Sequence, residues 1–299
     1  MRTVRSSLLA LGTAVALALG VTACNNDSTT PATPIMSQIQ AESLANTVVG
    51  DVAGEIATAT KDGSSGAMAT APVSASAPAG SSMVTQCIPA KSPSPVTDAD
   101  NDGVPDSVRF DYAGCVISFP LALDSLSGTI DLIDPTKSVA DHSVERVFTD
   151  FKRVSVNLVS GAKSSVTYNG TRMASHDGTT LRSSETNFRT DYVYPNGGTA
   201  EHVRTWESIF TADVAGSIMP NAVLPSGTWS VNGSSSWTRG LNSYSLTVTT
   251  NPALHYNASC SNAPRFDAGK ITAVVVRNSK TMTVTIEFTA CGVFTVTRS

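Results

Sequence analysis

From residue 98 the chain reads Asp98-Ala99-Asp100-Asn101-Asp102-Gly103-Val104-Pro105-Asp106, which sets carboxylates at loop positions 1, 3, 5 and 9 and glycine at position 6. Side chains two apart on a turning chain converge on one point, Gly103 allows the sharp bend, and the Val104 carbonyl can supply position 7. This is oxygen chemistry for a hard divalent cation. The spacing predicts a structural Ca²⁺ held by Asp98, Asp100, Asp102, Val104 and Asp106, with a solvated acidic turn as the competing reading. Ca²⁺ does not acidify a bound water as Zn²⁺ does, and no base or nucleophile neighbours the loop in sequence. Position 12 is Arg109, so no bidentate Glu closes the shell; Asp111 completes it only if the chain folds back.

Of the five cysteines, Cys24 stands alone near the start, and Cys87, Cys115, Cys260 and Cys291 form an even set. In an exported chain such a set argues for two disulfides, which can pair in three ways. The local pairing, Cys87–Cys115 and Cys260–Cys291, is expected because each pair brackets one compact segment. Loops of this size would stabilise by about 3 kcal/mol each. No Cys-x-x-Cys spacing supports a zinc site. His142, His176, His202 and His255 have no Glu or Cys at ligand spacing and read as solvated or strand-surface residues. Acids outside the loop read as water-facing positions on alternating strands. Trp206, Trp229 and Trp237 are expected in the core, with a sugar-stacking platform or a cavity wall as the alternative. The chain has no Gly-x-Ser-x-Gly elbow, phosphate-cradling glycine loop or His-Glu-x-x-His.

Met1 to Arg5 gives a positive start, Leu8 to Val21 an uncharged apolar run too short to span a bilayer comfortably, and Val21-Thr22-Ala23-Cys24 a small-residue end. This is the order of a secretory signal, residues 1–23. Val-Thr-Ala-Cys resembles a bacterial lipobox, which implies that Cys24 is diacylated (palmitate-type chains), becomes the mature N-terminus and anchors the protein in a membrane. An ordinary cut near Ala23 is the alternative. Asn25, in place of the Asp that retains some lipoproteins at the inner membrane, points to the outer membrane. Asp102-Gly103-Val104-Pro105-Asp106 resembles the calcium loops of thrombospondin type 3 repeats. With Gly114-Cys115 and the ending from Phe266 through Phe288-Thr289-Ala290-Cys291-Gly292, the chain resembles outer-membrane and periplasmic lipoproteins of Gram-negative bacteria. That likeness implies a location and no activity.

Holding the loop and the cysteines in place falls to a body with a distinct texture. Residues 24–34 read as a lipidated tether. In 35–60, Ile35, Ile39, Val48, Val52 and Ile56 recur at helical spacing, with Pro34 suited to a first helical position, and predict one short amphipathic helix. Residues 61–83 are Gly-, Ser-, Ala- and Pro-rich and read as a disordered linker. Residues 84–299 form short runs of Val, Ile, Thr, Tyr and Phe broken by turn residues such as Asp177-Gly178, Asn196-Gly197-Gly198 and Asn278-Ser279. With no helix long enough for a crossover, the expected fold is mainly β: an antiparallel meander forming one large curved sheet, half-barrel or barrel, with a short N-terminal helix. Hydrophobic residues are 41% and charged residues 15% of the 299, enough for a core. A net charge of −4 offers no basic face for nucleic acid. The expected function is that of a non-enzymatic cell-envelope lipoprotein, periplasmic or surface-exposed, with a structural calcium loop. It would bind an apolar ligand inside the sheet or a partner on its surface. A secreted hydrolase whose catalytic residues meet only in the folded chain is the alternative.

Overall fold

A computed structural model describes residues 36–64, 84, 85, 87–139, 142–219, 223–240 and 242–299. The leader, Cys24, the 24–34 tether, Ile35, residues 65–83 of the linker and the side chain of Ile56 lie outside the described residues.

The body is one antiparallel sheet of fifteen strands. They are β1 Val84–Thr85, β2 Ala90–Ser92, β3 Ser107–Asp111, β4 Cys115–Phe119, β5 Ala122–Ile133, β6 Val144–Asn157, β7 Lys163–His176 and β8 Thr180–Val193, followed by β9 Thr199–Ala212, β10 Gly227–Arg239, β11 Asn242–Thr250, β12 Leu254–Tyr256, β13 Phe266–Arg277, β14 Lys280–Ala290 and β15 Val293–Arg298. From β4 to β11 each strand pairs with its successor, and β13, β14 and β15 continue the path from β11. Short β12 bridges β10 and β13, while β3 and β4 lie end to end along β5. β1 and β15 terminate the path without pairing to each other, so the sheet is curved but not a closed barrel.

Turn chemistry sets the hairpins. The Asp177 carboxylate accepts the Thr179 and Thr180 N–H groups, and Asn278 and Ser279 both adopt positive φ, the two-residue geometry whose twist matches the flanking strands. The kink in β5 needs glycine: at Gly128, with φ of 89°, a Cβ would sit 2.1 Å from the Asp150 carbonyl oxygen.

One helix, α1 Gln38–Ser64, precedes the strands. It starts later than Pro34 because Ser37 caps it: the Ser37 hydroxyl accepts the Gln40 N–H while the Gln40 side chain accepts the Ser37 N–H, a reciprocal capping box. It also runs four residues into the segment expected to be linker. The buried stripe is Ala41, Leu44, Ala45, Val48, Val49 and Val52. Ile39, expected on that stripe, is 78% exposed, because the run of small residues turns a different face to the sheet.

At its start α1 meets the end of β15, where Gln38 donates to the Val296 carbonyl and Arg298 to that of Met36. It also touches β14, β7 and β8. These strands are far apart in the sheet order, so the sheet curls around the helix. The C-terminal core therefore joins the α1 stripe to Phe210, Trp229, Val248, Ile271, Val284 and Ile286. A second core, around Phe110, Tyr112, Leu126, Phe148, Phe151 and Phe188, fills the N-terminal part. Between the two lies Glu185, 2% exposed, with Arg172 Nε at 2.6 Å and Arg204 Nε at 3.0 Å. The expectation of water-facing acids fails here because register pairs Glu185 with Arg172 on the inward face.

The meander gives the sheet two distinct ends. At one, the Leu158 end, lie the turns leading into β5, β7, β9, β11 and β14; at the other, the Asp134 end, lie the acidic loop and the connections after β5, β7 and β9.

Candidate cation site

The acidic loop closes on itself through its own backbone. Asp98 Oδ2 accepts the Gly103 N–H, Asp100 Oδ1 that of Asp102, and Asp102 Oδ1 that of Val104. Asn101 and Gly103, at φ of 59° and 92°, make the bends. The Val104 side chain is buried in the N-terminal core and pins the loop to the sheet.

Carboxylate oxygens of Asp98, Asp100 and Asp102 lie within 4.8 Å of one another. Oxygens sharing a Ca²⁺ at 2.3–2.6 Å can be no further apart than about 5 Å, so this spacing fits a common cation. Asp106 is not part of the group. Its Oδ1 accepts the Ala99 N–H, and that bond, with one from Thr97, holds its carboxyl below the ordinary range.

A fourth acid arrives from elsewhere. Asp134, the residue after β5, is fully buried, and its N–H donates to the Asp106 carbonyl. Its Oδ1 accepts from Thr136, while Oδ2 is buried with no hydrogen-bond partner. Asp98 Oδ1 and Asp100 Oδ2 are in the same condition. Desolvation, the charges of Asp102 and Asp134 and the Asp98 carboxylate, which accepts from Asp100 when Asp100 is protonated, together hold the Asp100 carboxyl above its ordinary value, against the Asp102 N–H. The His142 N–H closes the other side on Asp102 Oδ2. Two orphaned carboxylate oxygens within the three-acid cluster, with a third on Asp134 near enough for its charge to act on Asp100, carry a cost that a cation of matching charge would remove. Asp134 escapes sequence reasoning because only the pairing of β3 with β5 brings it to the loop.

The four remaining cysteines form Cys87–Cys115 and Cys260–Cys291, with Cα atoms 4.4 and 5.6 Å apart. Cys260 and Cys291 also lie near Asp267, but a disulfide leaves no thiolate for a metal. Trp206 and Trp229 are core residues, and Trp237 stacks between Tyr192 and His202. His176 and His202 are buried rather than solvated, since their strand positions face inward. Burial, helped by Arg204, pushes His202 down to about 3, so it is neutral.

His255 makes the arrangement closest to catalytic. Its Nδ1 lies 2.6 Å from Asp267, which Asn257 also holds, and its Nε2 lies 3.3 Å from Asp213. A general base so oriented needs a nucleophile at Nε2, and the group there is a carboxylate. No protein family, curated protein or solved structure matches the chain.

Proposed function

We propose that this chain is a non-enzymatic, lipid-anchored protein of the bacterial envelope, held at the outer membrane through Cys24, whose acidic loop carries a structural Ca²⁺. The ligands are Asp98, Asp100 and Asp102, with Asp134 in place of Asp106 and the Val104 carbonyl as a further oxygen. The observation that supports this most directly is the set of buried, partnerless oxygens on Asp98, Asp100 and Asp134. The protein works by binding at its surface rather than by carrying an apolar ligand, because α1 fills the curve of the sheet.

Two measurements test the reading. Titration calorimetry on the chelator-treated chain bearing Cys24→Ser should give binding at or below millimolar Ca²⁺, the weak end for extracellular modules. The Asp100→Ala/Asp102→Ala variant should give none; equal heat from both proteins would reduce the loop to an acidic turn. In cells, radiolabelled palmitate should enter the unsubstituted chain and not the Cys24→Ser chain, which should leave the membrane fraction.

A further inference from the structure

We propose that the Leu158 end of the sheet docks onto the anionic headgroup layer of the leaflet that anchors Cys24, an inference that rests on the lipid-anchor reading. Two of its turns, 120–121 and 158–162, carry exposed apolar side chains where turns are ordinarily polar, and Val193 at the end of β8 adds a third. Leu121, Leu158, Val159 and Val193 are 64%, 56%, 76% and 41% exposed. The Leu158 N–H donates to the Leu121 carbonyl, so two of these turns touch, and the β8–β9 turn follows in the sheet order. Residues 120–121, 158–162, 194–198 and 278–279 include no Asp or Glu.

The charge around these tips is positive. Lys163, Arg239 and Lys280 sit beside the turns. The nearby acids Asp191 and Glu201 share Arg189, a net of one negative charge, and Asp124 is paired to Arg153, so the cations remain in excess. Apolar tips set among cations are the composition of a surface that seats at a lipid headgroup layer. The opposite end also exposes apolar groups, Val214, Met219 and Val223, but in company with Asp177, Asp213 and the acidic loop. An anionic surface repels that end.

The chain leaves the body on the same side. Arg298, which holds the Met36 carbonyl, pairs with Val284, four residues into β14 from Lys280. Four residues of strand are about 13 Å. The twelve residues from Cys24 to Met36 span at most about 40 Å, so the anchor reaches the Leu158 end with slack.

The test uses the full mature chain bearing Cys24→Ser, sedimented with phosphatidylethanolamine/phosphatidylglycerol vesicles and with phosphatidylcholine vesicles. It should bind the former, release in high salt, and bind the latter weakly. Lys163→Glu/Lys280→Glu should lower the partition on the order of 30-fold or more, and Leu158→Ser/Val159→Ser about tenfold. All four positions are exposed, and an unchanged thermal transition verifies folding. Val214→Ser/Met219→Ser, at the opposite end, should bind as the parent does. The proposal is overturned if the parent does not prefer phosphatidylglycerol, if the lysine reversals leave binding unchanged, or if the Val214/Met219 variant is the one that loses it. Failure of palmitate labelling would remove the anchor alone, since the acyl-free chain reports docking by itself.

Discussion

Asp134 is the residue whose removal separates a cation site from an acidic turn. Asp134→Asn should weaken Ca²⁺ binding on the order of tenfold or more, whereas Asp106→Asn, whose amide oxygen can still accept the Ala99 N–H, should weaken it less; titration calorimetry on both variants checks the order. Glu185 sets a second test. With Glu185→Gln, the half-buried Arg172 and Arg204 stay beside each other without a counter-charge, and denaturant unfolding should show a loss of about 2–3 kcal/mol. His255 makes stability depend on pH. Its hydrogen bond to Asp267, outweighing burial, raises its pKa above 6.5. The contribution is therefore complete below that value and fades as pH rises through the higher folded value. The Tm of the unaltered chain should exceed that of His255→Gln most in mildly acidic buffer and least in alkaline buffer. Asp98, Asp100 and Asp102 were legible in the sequence because spacing within one turn fixes their convergence. Asp134 and Glu185 were not, because only strand register gives them their neighbours.

At the scale of elements, α1 carries a charge into the interior. Burial, only partly offset by Arg204, pushes Asp51 up to about 6 from 3.8. An acid raised in the folded state favours folding while neutral and loses that contribution as pH rises through about 6. Asp51→Asn should thus stabilise the protein at neutral pH by up to about 3 kcal/mol and flatten the Tm against pH between the two values. The kink in β5 gives a steric counterpart. Gly128→Ala forces a Cβ onto the Asp150 carbonyl and should cost on the order of 3 kcal/mol by denaturant titration. The turn residues Asp177-Gly178, Asn196-Gly197-Gly198 and Asn278-Ser279 made the hairpins they close readable, since each falls between two consecutive strands. The face of α1 was misread at Ile39 because small residues, not the largest apolar ones, make the close contacts with the sheet.

Over the whole molecule, the proposed Ca²⁺ would clamp the same N-terminal segment as the Cys87–Cys115 bond, while the core built on α1 lies at the other side of Glu185. Chelation should raise hydrogen exchange in 87–115 and leave β13 and β14 as protected as before; uniform loss of protection would mean that the ion supports the entire fold. The curved antiparallel sheet was legible from hairpin spacing. That the helix would fill the curve was not, because no local pattern says where a helix docks. The partnership of α1 with β15 joins the first described element to the last, 258 residues apart at Gln38 and Val296. A chain emerging N-terminus first from a ribosome displays the α1 stripe long before its final strands exist. The core that joins α1 to β14 and β15 can therefore close only when synthesis of those last strands is complete.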